Sequence, residues 1–477
     1  MAYTVVNSSY NFFKSLTYTG NGGTQSVTGI NFKPDFLWIK DRSNANDHKL
    51  QDSVRGSTYT LEANTDTDEY NDTNAITSFN NDGFTTGANG NTNTNSATYS
   101  AWSWNCDAAA SVTYTVKVVS DSGNKYRFND FGTSAVTLDL EEGGTYTFDG
   151  SDSSMASHPI KLSTTANGTH GGGSSYNTGV TYLLDGSSVT ESAYVSGYAS
   201  ATTRKLQITV AASAPTLYYY CHYHSGMGGQ ANTNATRGSS NFGGTIQSRA
   251  VFATAPGISV VTYTGTGSAA TVGHGLGVAP DLVLIKKRDG GSDAGWLVYH
   301  NSLGNATGGR LDVDVGNALS GSDLFNSTSP TTNNFSIGTN FRCNDNGSTY
   351  VAYCFASIKG FSHIGLYQGS GLQDNGPYVY TGFKPAFMIV KNFPDGEHWR
   401  LYDVATNPGY NKSGYYVVPS DPGSATSAQD SGRIDFMANG FKIRGNGSFI
   451  SGDNDNHIYW AFAQNPFVGG GIPATAL

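Results

Sequence analysis

One apolar segment occurs three times along the chain, and each copy has the pattern of a buried strand. The copies are residues 34–40 (PDFLWIK), 280–286 (PDLVLIK) and 385–391 (PAFMIVK). Proline lacks the N–H that a central strand position needs, so we expect the proline to open the strand. Large apolar residues on both faces predict a strand that is buried on both sides. The final lysine is expected to mark the exit of the strand into water.

Three further landmarks accompany each copy in the same order. A Tyr-x-Gly element precedes the apolar segment, at Tyr18, Tyr263 and Tyr367. Turn residues and an aromatic residue follow it, the aromatic being Phe84, Phe335 and Phe441. A tyrosine opens the last element 15, 15 and 18 residues later, at Tyr99, Tyr350 and Tyr459. The constant order predicts three homologous repeats of about a hundred residues each.

Residues 111–250 lack these landmarks and instead show the two-residue alternation of half-buried strands. Residues 112–118 (VTYTVKV) alternate, and further short candidate strands follow, separated by Gly, Ser and Asp. Short strands at this spacing predict a sandwich or a barrel. Because no stretch has helical periodicity, the predicted class is all-β. The predicted domains are residues 1–110, 111–250, 251–361 and 362–477, the last with a Gly/Pro/Ala tail.

The composition narrows the range of partners. Charged residues make up only 13% of the 477 residues, against about 25% in an ordinary soluble protein. A net charge of −9 without a basic run argues against nucleic acid as a partner. No apolar span reaches the length of a membrane helix, and the first residues lack the order of a signal peptide. Four cysteines do not make a disulfide framework, which favours synthesis in a reducing cytosol.

One group of residues carries candidate chemistry. Residues 218–228 (YYYCHYHSGMG) place Cys221, His224 and Met227 on one tight loop after an apolar strand. His158 stands at the start of another candidate strand. A trigonal copper site needs one thiolate and two imidazoles, with a thioether at longer range. The spacing therefore indicates a copper site formed by His158, Cys221, His224 and Met227.

This segment resembles the cupredoxins, in which a histidine opens one strand and Cys, His and Met follow a later one. The resemblance covers residues 111–250 and implies a Greek-key sandwich. His222 is an additional imidazole that the cupredoxin pattern does not require. The alternative is a cupredoxin-like fold without a metal, in which Cys221 packs as a small apolar residue.

Other candidate sites favour structural roles. Residues 344–347 (NDNG) and 453–456 (DNDN) are rich in oxygen ligands for calcium, but their equivalent places in two repeats favour Asx-rich turns. The chain contains no Gly-x-Ser-x-Gly elbow, and its glutamates occupy no repeated position. Cys343 and Cys354 flank one strand and are expected to remain free thiols. The protein is therefore predicted not to be an enzyme.

The chain as a whole resembles virion structural proteins of marine tailed bacteriophages, particularly those that infect cyanobacteria. The strings that carry the resemblance are residues 32–40 (FKPDFLWIK), 78–84 (SFNNDGF) and 98–102 (TYSAW). The resemblance and the repeats imply four β-sandwich domains: three lectin-like repeats of jelly-roll type and one cupredoxin-like domain.

The expected function is that of a tail fibre or similar appendage contacting the host surface. The expected partners are other virion proteins, a host surface glycan and further copies of the chain, after assembly in the host cytoplasm. The alternatives are a capsid-decorating or knob protein, a copper-binding redox protein and, third, a polysaccharide-degrading spike.

Overall fold

The computed structural model describes residues 4–6, 8–106, 109–291, 295–312, 319–393, 396–406, 411, 415–427, 430–465, 468–469 and 472–473. Strands account for 44% of the residues and helices for 9%, which confirms the all-β class. The chain forms two compact units: unit 1 contains residues 1–107 and 252–477, and unit 2 contains residues 108–251. None of the described helices is long and apolar enough to cross a membrane.

Within unit 1, three stretches of chain share a strand-pairing scheme and are called segment one (13–104), segment two (258–355) and segment three (362–465). The strands of segment one are β1 (Phe13–Thr19), β2 (Gln25–Thr28), β3 (Phe36–Asp41), β4 (Lys49–Asp52), β5 (Gly56–Glu62), β6 (Tyr70–Asn71), β7 (Ile76–Asn80), β8 (Gly83–Thr86) and β9 (Thr98–Trp104). The next strands along the chain are β10 (Ser111–Ser120), β11 (Asn124–Phe128), β12 (Leu138–Glu141), β13 (Thr145–Asp149), β14 (Ile160–Ser163), β15 (Val180–Leu184), β16 (Ser187–Val189), β17 (Arg204–Thr209), β18 (Leu217–Cys221), β19 (Gly229–Asn234), β20 (Ser239–Asn241) and β21 (Ser248–Ala253).

Segment two contains β22 (Ile258–Thr264), β23 (Ala270–Gly273), β24 (Leu282–Lys287), β25 (Leu297–His300), β26 (Thr307–Gly308), β27 (Leu319–Ser320), β28 (Asn334–Ile337) and β29 (Thr349–Phe355). Segment three contains β30 (Ser362–Gln368), β31 (Tyr378–Tyr380), β32 (Lys384–Asn392), β33 (Arg400–Asp403), β34 (Tyr415–Tyr416), β35 (Thr426–Ser427), β36 (Ile434–Met437), β37 (Gly440–Ile443) and β38 (Asn456–Asn465), and β39 (Val468–Gly469) and β40 (Ile472–Pro473) follow it. The rest of the predicted tail lies outside the described residues. The helices are α1 (Gly90–Asn93), α2 (Glu191–Gly197), α3 (Ser322–Phe325), α4 (Phe341–Asn344) and α5 (Ser448–Ser451), and short 3-10 turns lie at Ser9–Asn11, Ser153–Met155, Gly168–Gly171, Asn301–Leu303 and Asp430–Gly432.

Each segment pairs its first strand with its last, and its last with the repeated apolar strand. The three orders are β1-β9-β3-β4, β22-β29-β24-β25 and β30-β38-β32-β33. A smaller second sheet accompanies each, as β2-β8-β7, β23-β28 and β31-β37-β36. Pro34 and Pro280 precede their strands as expected, whereas Pro385 lies inside β32 at an irregularity of the pairing with β38. A bulge frees proline from donating to the ladder, which explains why the third strand continues through it.

The prediction that the repeated strand is buried on both sides is correct for all three copies. In β3, Leu37 and Ile39 belong to the core cluster between the two sheets of segment one. Phe36 instead stacks on Tyr353 of segment two, with ring centroids 4.1 Å apart. Because Phe36 also stacks on Trp104 of segment one at 4.9 Å, the second face of the strand is covered by two segments together.

The prediction that the final lysine of the motif marks an exit into water is wrong. Lys40, Lys286 and Lys391 are all buried. The Lys40 ammonium donates to the carbonyl oxygens of Asn46 at 2.5 Å and of Pro422, in segment three, at 2.7 Å. Burial lowers the pKa of both Lys40 and Lys286 to about 8. At Lys40, backbone carbonyls of its own and of a neighbouring segment therefore replace water.

The strand pairing also corrects the last landmark of the third repeat. Tyr18 pairs with Tyr99 and Tyr263 with Tyr350, but Tyr367 pairs with His457. His457 stacks on Tyr367 at 5.0 Å with planes 10° apart, as the tyrosines do in the other two segments. The equivalent of the landmark tyrosine is therefore His457 and not Tyr459, which reduces the spacing from Phe441 from 18 to 16 residues, close to the 15 of the other two segments.

The three segments meet in a central aromatic cluster, which consists of Phe13, Phe36, Trp104, Tyr353, Phe355, Phe387, Trp460 and Phe462. All eight side chains are buried. The Trp104 ring of segment one lies 6.1 Å from Phe355 of segment two and 5.8 Å from Trp460 of segment three. Phe355 and Trp460 are themselves 4.5 Å apart. Aromatic contacts of this kind add to the area they bury, so the cluster ties the segments into one core.

Hydrogen bonds repeat around this cluster in one direction. The residue just before the last strand of each order (β4, β25 or β33) is His48, Trp296 or Trp399. Trp296 Nε1 donates to the Glu62 carbonyl at 2.8 Å, and Trp399 Nε1 donates to the Arg310 carbonyl at 2.7 Å. His48 completes the series with Nε2 3.0 Å from the Val418 carbonyl. Segment two thus bonds to segment one, segment three to segment two, and segment one to segment three.

Unit 2 contains two sheets around its own core cluster. One sheet has the order β11-β10-β13-β17-β15-β16 and the other the order β12-β19-β18-β14. The alternating segment predicted at residues 112–118 is β10, in which Tyr114 and Val116 point into this core. The core also contains Cys221 and Met227. This second sheet carries the candidate ligands.

Candidate metal centre

Two neighbouring strands bring the candidate ligands to one end of a sheet. Cys221 is the last residue of β18, which pairs antiparallel with β14 so that Ile160 faces Cys221. His158 precedes β14 by two residues and therefore lies beside the end of β18. The chain then turns back before β19, and this short loop carries His224 and Met227.

The thiol and two imidazoles converge there. Cys221 Sγ lies 3.8 Å from His158 Nδ1 and 3.5 Å from His224 Nδ1. The three ligand atoms all lie within 4.8 Å of one another, the only such group of His, Cys, Asp or Glu found among the described residues. His158 and Cys221 are buried and His224 is exposed, so the group sits at the surface end of a buried strand.

These distances can be tested against the geometry of a shared metal ion. For zinc, metal–sulfur bonds of about 2.3 Å and metal–nitrogen bonds of about 2.0–2.1 Å, at angles between tetrahedral and trigonal, separate sulfur from nitrogen by about 3.5–3.8 Å. The observed separations of 3.5 and 3.8 Å match that range. The donor set therefore fits a soft or borderline transition-metal ion.

The protonation state of His158 suits ligation. Burial, with a smaller contribution from His224, lowers the pKa of His158 below its usual value. A neutral imidazole has a free lone pair, which is the form that binds a metal.

The fourth predicted ligand and the extra imidazole are placed differently from these three. Met227 is 1% exposed and lies in the core cluster with Cys221. His222 Nδ1 lies 3.5 Å from the ammonium of Lys161, which forms an ion pair with Glu191. Burial lowers the pKa of His222, and the positive charge of Lys161 lowers it further. The ambiguity in the sequence is thus resolved: His224, and not His222, joins His158 and Cys221.

Tyr126, a neighbour of the group, was missed in the sequence. Its hydroxyl donates to the His158 carbonyl at 2.9 Å, and its side chain is fully buried. Nothing in residues 124–128 (NKYRF) distinguishes it from an ordinary inward-facing strand residue. Only the register of β11 relative to the ligand loops reveals the contact.

The other candidate residues have structural partners. Asp345 forms an ion pair with Lys287 at 2.7 Å, and Asp455 accepts from Asn392 Nδ2 at 2.9 Å. Asn454 has the left-handed φ of 61° that a tight Asx turn requires. All four cysteines are buried and none is in a disulfide bond, including Cys343 and Cys354.

Comparison with known proteins yields one family. The sequence matches the family described as "Domain of unknown function (DUF7483)" over residues 8–137 and 231–466, more than half of the chain. His158, Cys221, His224 and Met227 all fall between the two matched ranges. No curated protein matches the chain, and no solved structure does.

Proposed function

Because this chain belongs to the DUF7483 family, whose description names no activity, we propose its role from its own residues and geometry. We propose a non-enzymatic structural protein of a tailed-bacteriophage particle, located on a tail fibre or similar appendage that contacts the host surface. The observation that carries the proposal is the common core of segments one, two and three. Three surfaces of related construction are held rigidly together, and weak sites gain about 10²–10⁴ in avidity when several engage one surface.

The proposal includes the finer architecture that the sequence predicts. Segments one, two and three are lectin-like sandwiches of jelly-roll type, and unit 2 is a cupredoxin-like Greek-key sandwich. The repeated pairing scheme supports the first part, and the two sheets of unit 2 support the second. An experimental structure provides the test: the three segments should superpose with Pro34, Pro280 and Pro385 at equivalent places.

Surface chemistry favours a polar host ligand such as a glycan. Segment three exposes Tyr378 and Tyr380 on one face of β31. The equivalent residues of segment one are Ser26 and Thr28, which pair with β8 as Tyr378 and Tyr380 pair with β37. Aromatic faces beside Asn-, Ser- and Gly-rich loops offer both stacking and hydrogen bonding to sugars.

Locating the protein in intact particles by electron cryomicroscopy tests the proposal. We expect tail placement, and we expect the purified protein to compete with phage for adsorption to host cells. A Tyr378→Ala/Tyr380→Ala variant should compete less well, while the matched Ser26→Ala/Thr28→Ala variant should compete normally. Density confined to the capsid shell, with no binding to host cells or their polysaccharide, would favour a decoration protein instead.

The proposed setting also defines the partners. The chain assembles in the host cytoplasm with other virion proteins and forms a homo-oligomer on the particle. Sedimentation of the purified protein tests self-association, since a monomer at particle-like concentrations contradicts the homo-oligomer.

A second function, copper binding in unit 2, is favoured by the convergence of His158, Cys221 and His224. Bound there, copper would supply one-electron redox chemistry, with Met227 as the proposed distant ligand. Loading with Cu(II) should give an intense visible absorption from the thiolate–copper bond. Cys221→Ser should abolish this absorption, and Cys343→Ser, which removes a buried thiol from unit 1, should preserve it. A colourless wild-type protein, or colour that survives Cys221→Ser, contradicts copper ligation by this group.

A further inference from the structure

Tyr126 contacts both of the segments that carry the candidate ligands outside strand β18. Its backbone N–H donates to the Met227 carbonyl at 3.0 Å, and its hydroxyl donates to the His158 carbonyl at 2.9 Å. We propose that Tyr126 is a positioning residue, which holds the His158 turn and the Met227 loop at the separation that metal binding requires. The inference rests on the proposed metal site, and its test separates the two.

The contact reaches both ligand segments from outside their own sheet, whose nearest hydrogen bond to the His158 segment runs from His222 N to the Pro159 carbonyl at 2.9 Å. His158 follows a 3-10 turn, where its N–H donates to the Met155 carbonyl at 2.8 Å, and it precedes β14. Met227 lies in the loop between β18 and β19. Tyr126 belongs to β11, in the six-stranded sheet that faces them across the core. It therefore fixes both segments from the opposite side.

Tyr126 is itself rigid, which makes it an effective reference point. Its carbonyl accepts from Ala135 N at 2.8 Å, and its fully buried ring lies 6.4 Å from that of Tyr219. Two hydrogen bonds on opposite ends of one immobile residue fix the relative position of the two groups they hold. Tyr126 holds the backbone of the ligand residues rather than their rings. Loss of the outer partners that orient ligand rings typically lowers metal affinity about 10–100-fold, and we expect an effect of that order here.

The variant Tyr126→Phe removes the hydroxyl, and with it the bond to His158 and the interaction with Cys221, while the backbone bond to Met227 and the ring remain. Tyr114→Phe is the matched control: Tyr114 is buried in the same core and its hydroxyl donates to the Ser240 carbonyl at 2.9 Å. We expect Tyr126→Phe to bind Cu(II) or Co(II) at least about 10-fold more weakly, with a shifted thiolate–metal band. Tyr114→Phe should match the wild type in both properties.

A metal-free measurement tests the positioning directly. In NMR spectra of the metal-free protein, the His158 ring and Met227 methyl signals should shift and broaden in Tyr126→Phe but not in Tyr114→Phe. Replacing Tyr126 with 4-aminophenylalanine restores a hydrogen-bond donor at the same place and should restore the wild-type signals. This variant keeps the proposal testable if the phenylalanine variant folds poorly.

The two failures are distinguishable. Unchanged metal-free signals and unchanged affinity in Tyr126→Phe overturn the positioning role even if the wild type binds copper. A wild type that binds neither metal overturns the metal site, while a response of the His158 signals to Tyr126→Phe still supports the positioning of the turn.

Discussion

At Trp38, burial and a specific hydrogen bond coincide. The indole is fully buried, and its Nε1 donates to His48 Nδ1 at 2.9 Å. We expect Trp38→Ala to lower the free energy of unfolding by about 3–5 kcal/mol, because it leaves a cavity in a close-packed core. Urea denaturation measures the loss. Tyr380→Ala, at a side chain that is 58% exposed, should change it by less than about 0.5 kcal/mol.

The sequence predicted the burial of Trp38 but not that of Lys40. An apolar run identifies a buried strand because transfer of apolar surface from water drives folding. The sequence around a lysine at the end of such a run does not show whether the ammonium reaches water or another part of the protein. The carbonyl of Pro422 that binds Lys40 comes from a distant part of the chain. Linear pattern cannot place that partner, so the lysine was expected in water.

His300 should make the protein sensitive to acid. Its Nδ1 accepts from Ser302 N at 3.2 Å and its Nε2 lies 3.3 Å from the Tyr459 carbonyl, a pattern that requires a neutral ring. Burial lowers the pKa of His300 to about 4, against about 6.5 in an unfolded chain. The unfolded state therefore binds the proton first, and stability is lost as the pH falls from about 6.5 to about 4.

The measurement is the free energy of unfolding as a function of pH. Relative to the wild type, His300→Gln should flatten the fall between pH 6.5 and 4 by about 3 kcal/mol at most. Asn346→Ala, at an exposed side chain without a titrating group, should keep the wild-type slope. A His300→Gln curve parallel to the wild type would show that this ring does not titrate within that range.

At the scale of elements, a buried side chain joins the Tyr-x-Gly landmark to a short helix. Asn344, at the end of α4, accepts from Thr266 N at 2.7 Å and donates to the Ser268 and Gly338 carbonyls at 2.6 and 2.7 Å. Asn93, at the end of α1, bonds in the same way to residues 21, 23 and 87. The loop and helix lie so close that a Cβ at Gly265 would stand 2.3 Å from the Asp345 carbonyl oxygen. This contact explains the glycine in the landmark.

Removing that amide should loosen the loop it holds. We expect Asn344→Ala to cost about 1–3 kcal/mol of unfolding free energy, because buried backbone groups lose their partners. Hydrogen exchange should show reduced protection at residues 266–268. Asn346→Ala, at an exposed position in the next turn, is the control and should leave both quantities near wild type. Equal exchange in the two variants would contradict this role for Asn344.

The sequence located these elements better than it explained them. Spacing alone found the Tyr-x-Gly landmark, but the buried amide partner lies nearly eighty residues away in Asn344. Tyr126 lies 32 residues from His158 in the sequence, and this separation likewise hid its contact with the candidate metal site. By contrast, Cys221, His224 and Met227 were found because they share one short loop, and His158 because it opens the neighbouring strand.

At the scale of the molecule, unit 1 should unfold as one body. Trp104 of segment one contacts rings from both other segments, so Trp104→Ala should weaken all three together by about 3–5 kcal/mol. Hydrogen exchange provides the readout. Amides in β24 and β32 should lose protection along with those in β3, whereas β10 and β13 of unit 2 should not. Loss confined to segment one would mean that the segments fold independently.

The common core was not predicted from the sequence. The residues of the central aromatic cluster occupy ordinary inward positions of each repeat. The hydrophobic pattern does not distinguish a core formed within one repeat from a core shared by several repeats. Three separate domains were therefore expected where the structure has one compact unit.

The one-directional hydrogen bonds from His48, Trp296 and Trp399 have a consequence for how this body can change. In a trimer of identical chains, one substitution alters all three interfaces, and dilution favours separation. Here a single polypeptide supplies all three, so assembly of this body depends on intramolecular encounter and not on protein concentration. Each interface can also vary alone, as one equivalent strand position in the three segments shows. The residue at this position is Asp52 in segment one, His300 in segment two and Asp403 in segment three, where it pairs with Phe36, Leu282 and Phe387, respectively. Covalent linkage thus allows one body built from three similar segments to have three chemically different interfaces.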